Sequence, residues 1–399
     1  MTIVGRRYDT GACVALEVAD GRIAHLETLP LTAQRATWPW LAPGLIDVQL
    51  NGYAGHEFND HNLTVPLVAQ ITYAQDALSL AAYCPTLTTH SDATFRHSLQ
   101  TIAAACEQDR GIARRVAGIH VEGPYISPVD GPRGAHPRAH VRPPDWDEFQ
   151  RWQEIAGGRI RIITLSPEYD SSVEFIRRAV ALGVLVAIGH TQATTQQIDA
   201  AVDAGATCST HLGNGAHPLI RRHPNYIWDQ LAEDRLWASL IVDGHHLPPA
   251  VVQSLVRGKT AERCLLVSDI TGMAGMPPGR YETGALGAVE VLLDGRLRPA
   301  NQPDILAGAA LPLYVGVVNV MRFAKVDLRT AINMASVHPA RWLHRTPPTL
   351  EPGAAADLIQ FHLNPDSEVA ATAAWQPVCT LIAGQVVAGT ARVRTAVDE

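Results

Sequence analysis

Glu122 closes the apolar run VAGIHVE, His190 closes VLVAIGH, and His211 and Asp269 stand near the ends of TCSTHL and LLVSDI. Asp243, His245 and His246 follow the run ASLIV, while Gln49 and Asn51 close LIDVQLN. A short apolar run buries its middle, so a polar residue at its end is delivered to the rim of whatever the runs build. Glu122, His190 and His211 brought to one mouth form a zinc ligand set with a position left for water. Zinc lowers the pKa of such a water towards neutrality and polarises a carbonyl at the same time. Taken singly, these residues have plainer readings. A strand-end His is more often hydrogen-bonded structure than a ligand, Glu122 could cap the next segment, and Asp269 before ITGMAG could be a turn aspartate. Four such residues on four separate runs favour the chemical reading. Gln49 and Asn51 raise a further point: standing two apart on a strand they face the same way, and buried amides need partners.

Residues placed in this manner require parallel strands. Apolar runs recur at 45–51, 81–89, 116–122, 160–166, 184–190, 207–212, 238–244 and 265–270, with helix-like segments such as 63–79, 93–108, 171–182 and 194–204 between them. Eight strands alternating with helices predict an α/β fold, a (β/α)8 TIM-type barrel whose active site gathers at the C-terminal strand ends. The first forty residues read as β structure, with a hairpin turning at Asp20-Gly21. From about residue 351 the chain reads the same way, through ADLIQFHL and then CTLIAGQVVAG with a turn at Ala383-Gly384. The expected organisation is therefore a composite β-sandwich from 1–42 and 351–399 around a barrel spanning 43–350.

Composition narrows the partners. A formal net charge of -7 argues against nucleic acid or an anionic membrane, so an anionic small-molecule substrate would need a local basic cluster. The six cysteines are scattered without a close pair, which fits reduced thiols in a cytoplasmic protein, and MTIVGRRYDT has no apolar secretory core. The uncharged stretch 305–321 falls short of the roughly 20 residues a membrane span needs. It also contains Pro312, Gly316 and Asn319, and is read as a buried helix after a Gly-rich turn.

The blocks APGLIDVQLNG, GIHVEGPY, RGAHP, AIGHTQAT, STHLGNG, IVDGHH and VSDITGMAG resemble, in order, those of the N-acetylglucosamine-6-phosphate deacetylase family of the amidohydrolase superfamily. The likeness runs from about residue 43 to 345, and the terminal β pieces resemble that family's small composite domain. The ordered series is specific, although several blocks recur more loosely in other amidohydrolases. Many amidohydrolases carry His-x-His on the first strand for a second metal. Gln49 and Asn51 occupy those positions here, as in single-zinc members, and neutral amides are poor zinc ligands beside imidazole and carboxylate. The fourth strand ends in TLSPE, with no lysine to be carboxylated as a bridge between metals. One divalent metal per chain, zinc, is thus expected on Glu122, His190 and His211, with the two amides lining the substrate site.

The resemblance also implies roles. Asp269 matches the catalytic aspartate that takes a proton from the attacking water and passes it to the leaving amine. His136 in RGAHP matches a histidine beside the acyl carbonyl, and Asn214 and Gly215 match residues that hold the sugar. His246 and Arg222 match a phosphate-binding pair whose arginine comes from the neighbouring subunit, which implies a homodimer. Three departures lie where sugar and phosphate bind. Gly215, Ala216, His217 and Pro218 replace the usual Ala-Met and following Pro, RRHPN replaces arginine, acidic residue, Pro, Gly, and ILAGAALPL lacks a serine-containing turn. The reaction is therefore more firmly implied than the substrate. The expected activity is zinc-dependent removal of acetyl from an amino sugar, with the 6-phosphate of N-acetylglucosamine as the substrate. The alternatives are another N-acyl substrate (an unphosphorylated amino sugar or N-acyl amino acid) or a non-catalytic barrel scaffold. A ring-opening hydantoinase or dihydroorotase-like activity is disfavoured, because it usually needs two metals.

Overall fold

The computed structural model describes residues 1–283, 287–300, 306–364, 370–395 and 398. Ile305, where the 305–321 reading and the ILAGAALPL departure begin, lies outside them, as do 365–369, 396–397 and 399 of the C-terminal piece.

Eight parallel strands form the predicted barrel: Leu45–Leu50, Leu80–Thr88, Ile119–Glu122, Ile160–Leu165, Leu185–Ile188, Ala206–Ser209, Trp237–Ile241 and Cys264–Val267. Each pairs with the next in chain order. The ring closes beyond the last ladder, where Leu50 bridges Ile270 and the Asp269 N–H donates to the Gln49 carbonyl at 3.0 Å. These strands are buried along almost their whole length because side chains are covered on both faces, by the barrel interior and by the surrounding helices.

The ladders stop short of several expected strand ends, for a physical reason. His190, His211 and Asp269 have φ of 49°, 30° and 54°, the left-handed region that a side chain disfavours. Each lies two residues past its strand, so the chain leaves the sheet before delivering the polar group. Such conformations cost on the order of 1–3 kcal/mol each and persist where the surroundings over-determine them.

Both chain ends enter one seven-stranded sheet, ordered Gln385–Gly389, Trp375–Ile382, Leu358–Leu363, Trp40–Pro43, Thr2–Arg7, Cys13–Ala19 and Arg22–Leu29. The expected hairpin turns are present, with Asp20 and Gly21 at φ 49° and 74°, and Ala383 and Gly384 at 51° and 76°. The two turns meet: a Cβ on Gly21 would stand 3.1 Å from the Ala383 carbonyl oxygen. An antiparallel sheet of Gly279–Thr283, Gly287–Val291 and Leu297–Pro299 was not anticipated. It has its own small core of Met273, Val289, Val291, Leu297 and Ala307 beside the loop that follows Asp269. The uncharged stretch does form a buried helix, Leu313–Ala324, opening after Pro312. Among the described residues no helix is long and apolar enough to cross a membrane.

Candidate active site

Glu122, His190 and His211 meet at the C-terminal mouth of the barrel, all buried. Glu122 Oε1 lies 3.2 Å from His190 Nε2 and 3.0 Å from His211 Nε2, and the two Nε2 atoms are 3.1 Å apart. His190 Nδ1 is 2.9 Å from the Pro132 carbonyl. A carbonyl only accepts, so Nδ1 carries the proton and Nε2 keeps its lone pair, the form in which imidazole binds a metal. Burial would raise the Glu122 carboxylate, yet the nearness of His190 and His211 holds it well below the usual range. Burial would likewise lower His211, but its hydrogen bond to Glu122 and the charge there raise it. An acidic oxygen and two imidazole nitrogens converging this closely fit a divalent ion.

A second grouping overlaps the first: donor atoms of Glu122, His136 and His190 fall within 4.8 Å of one another. The hydrogen bonding of His136 gives it a different character. Its Nδ1 accepts from the Thr89 backbone N–H at 3.4 Å and lies 2.7 Å from the Thr89 hydroxyl. With Nδ1 accepting, Nε2 bears the proton and donates rather than ligates. Burial pushes His136 down to about 3, so the ring is a neutral donor at working pH.

The first-strand amides each face a carboxylate. Gln49 Nε2 donates to Glu122 Oε1 at 3.0 Å, and Asn51 Nδ2 donates to Asp269 Oδ1 at 2.8 Å. What remains to Asn51 is Oδ1, buried and without a hydrogen-bond partner among the described residues. Asp269 is buried, and burial together with the charge of Glu122 pushes it up to about 6, so it is poised to exchange a proton near neutrality.

The remaining expected residues are distributed around this cluster. Asn214 and Gly215 lie on the loop after the sixth strand; the Asn214 amide nitrogen is buried with no partner in the described structure. A Cβ on Gly215, where φ is 57°, would come 2.8 Å from His190 Nδ1, so this glycine leaves room for the His190 ring. After the seventh strand, His246 Nδ1 pairs with Asp243 Oδ2 at 2.7 Å. Arg222 is exposed on the sixth-strand loop, as are Arg221 and His223, while the cluster itself is buried.

No family model matches the chain. The N-acetylgalactosamine-6-phosphate deacetylase of Escherichia coli O157:H7 is 33% identical over 347 residues, 86% of this chain and 89% of that one. The N-acetylglucosamine-6-phosphate deacetylase of Bos taurus is 35% identical over 333 residues, 80% and 78% of the two chains. The chain belongs to the N-acetylglucosamine-6-phosphate deacetylase family. It is an enzyme of the amidohydrolase superfamily, which uses a divalent metal. A solved family structure supports the assignment: the Mycobacterium smegmatis N-acetyl-D-glucosamine-6-phosphate deacetylase, an aspartate-to-alanine variant in complex with N-acetyl-D-glucosamine 6-phosphate. It superposes with a TM-score of 0.85 at 28% identity, covering 98% of this chain and 99% of that one.

Some participants were not legible in the sequence. The Pro132 carbonyl and Thr89 reach the site through the backbone path of loops, which no residue pattern announces. Glu168 was present in TLSPE, a block read only for its lack of lysine.

Proposed function

We propose that this enzyme hydrolyses the N-acetyl amide of N-acetylglucosamine 6-phosphate to the free amine and acetate, with one zinc ion per chain on Glu122, His190 and His211. The observation that carries the reading is the meeting of those three donors beside Asp269, a carboxylate whose proton affinity is raised towards neutrality. When bound, zinc supplies Lewis-acid chemistry, polarising an acyl oxygen and lowering the pKa of a water. Asp269 then takes the proton of the attacking water and returns it to the nitrogen as the C–N bond breaks. Asn51 keeps that carboxylate oriented, and Gln49 does the same for Glu122. His136, protonated on Nε2 by its arrangement with Thr89, donates to the acyl oxygen as negative charge develops there. The unpartnered Asn214 amide nitrogen is available to a sugar hydroxyl.

Phosphate recognition is assigned to His246 and Arg222, the latter reaching into the site of a second copy in a homodimer. Its exposure in the single chain suits a side chain that finds its ligand across an interface. A guanidinium offers paired donors to phosphate, and a hydrogen bond to a charged group contributes about 1.5–3 kcal/mol. Arg222→Ala should therefore raise KM for N-acetylglucosamine 6-phosphate by about tenfold or more, and hardly change hydrolysis of the unphosphorylated sugar. Light scattering should report at least a dimer. The decisive assay is amine release over N-acetylated sugars with and without phosphate, including the galactosamine epimer because one relative is named for it. Preference of the wild type for an unphosphorylated sugar or an N-acyl amino acid would overturn the phosphate assignment and leave the hydrolytic chemistry standing. A protein that holds no metal and hydrolyses none of these would instead be a barrel scaffold.

A further inference from the structure

We propose that Glu168 is a positioning residue that holds His190 in its metal-binding conformation by tying together the loops after the third, fourth and fifth barrel strands. The inference rests on the metal site described above.

Glu168 stands three residues past the strand Ile160–Leu165, half-buried, and no ion pair joins it among the described residues. Its carboxylate is instead ringed by neutral donors. Oε1 accepts from the Ser127 hydroxyl at 3.3 Å, on the loop that follows Glu122. Oε2 accepts from the Ser166 hydroxyl at 2.5 Å, the Thr191 hydroxyl at 3.3 Å and the Gln192 backbone N–H at 3.1 Å. Both carboxylate oxygens thus accept, and the four donors come from the three loops.

Thr191 and Gln192 are the two residues immediately after His190, whose φ of 49° is unfavourable for a side-chain-bearing residue. From the other side, the Ser127 N–H donates to the His190 carbonyl at 2.9 Å, and the Pro132 carbonyl accepts a hydrogen bond from His190 Nδ1. Ser127 therefore belongs to both sets: its backbone fixes His190 and its hydroxyl is held by Glu168. A residue in this strained region keeps its conformation where the surrounding structure over-determines it. Glu168 supplies the restraint on the C-terminal side, and through it the direction in which Nε2 points. Partners behind a metal-ligating histidine typically alter affinity by about 10–100-fold when removed.

The test is titration of the metal-free full chain with Co(II), followed by its visible absorption, alongside thermal unfolding of each metal-free protein. Wild type should saturate at one Co(II) per chain. Glu168→Ala should bind Co(II) about 10–100-fold more weakly with an altered absorption band. Glu168→Gln, which keeps one acceptor oxygen, should fall between the two. If the alanine variant does not fold, weaker binding by the folded glutamine variant supports the proposal, and wild-type binding by it overturns the proposal. An alanine variant that melts earlier yet binds Co(II) with wild-type affinity and spectrum would show a merely structural residue and overturn it as well. Wild type that takes up no Co(II) would remove the metal-site reading itself, and this inference with it.

Discussion

Asp269→Asn should lower kcat by about 100-fold or more while metal content stays near that of the wild type. The substitution preserves size, and an amide oxygen can still accept the 2.8 Å hydrogen bond from Asn51 Nδ2. What it removes is the ability to take a proton and give it back. The pH dependence should change as well. Burial and the Glu122 charge raise Asp269, so its basic form is present above its pKa and lost as pH falls through it. Wild-type kcat/KM should therefore show an acid limb, and the residual activity of the variant should lack it. Turnover and metal analysis on the same preparations check this. Unchanged turnover would mean that another group moves the proton.

The barrel and the residues gathered at its mouth were legible because they obey a simple rule. Parallel strands covered on both faces read as apolar runs, and a polar residue at the end of such a run stands out. Glu122, His190, His211 and Asp269 were found this way, and the structure brings the first three within hydrogen-bonding distance. What sequence does not carry is the path of the loops. His136 lies 47 residues from Thr89, whose N–H and hydroxyl determine which of its ring nitrogens is protonated. The amides illustrate the same limit: their shared face was readable, but not that one would hold a carboxylate 73 residues away and the other one 218 residues away. The three-stranded sheet at 279–299 escaped because the surrounding chain alternates strand with helix, and its short strands interrupt that rhythm after the barrel has closed.

His211→Ala should abolish both metal binding and measurable activity, whereas His136→Ala should keep the metal and lose turnover by about 100–1,000-fold. The contrast follows from the two overlapping clusters that share Glu122 and His190. Proximity alone does not choose between His136 and His211, because both rings lie against His190, with centroids 4.3 and 4.8 Å away. Proton placement does choose. His136 Nδ1 is occupied as an acceptor from Thr89, so a lone pair on Nε2 would require the ring to lose a proton it cannot release near neutral pH. His211 Nδ1 has no hydrogen-bond partner among the described residues, so nothing there dictates its tautomer, and Nε2 is free to present a lone pair to a cation at Glu122. Removing His211 leaves two donors, below the three protein ligands typical of a catalytic zinc site. Removing His136 takes away one donor to the developing oxyanion, a loss borne by turnover and not by the metal. Elemental analysis should give about one zinc per chain for wild type and for His136→Ala, and essentially none for His211→Ala. Reversed results would exchange the roles of the two histidines, and two tightly held metals in the wild type would show that Gln49 and Asn51 do not limit the site to one.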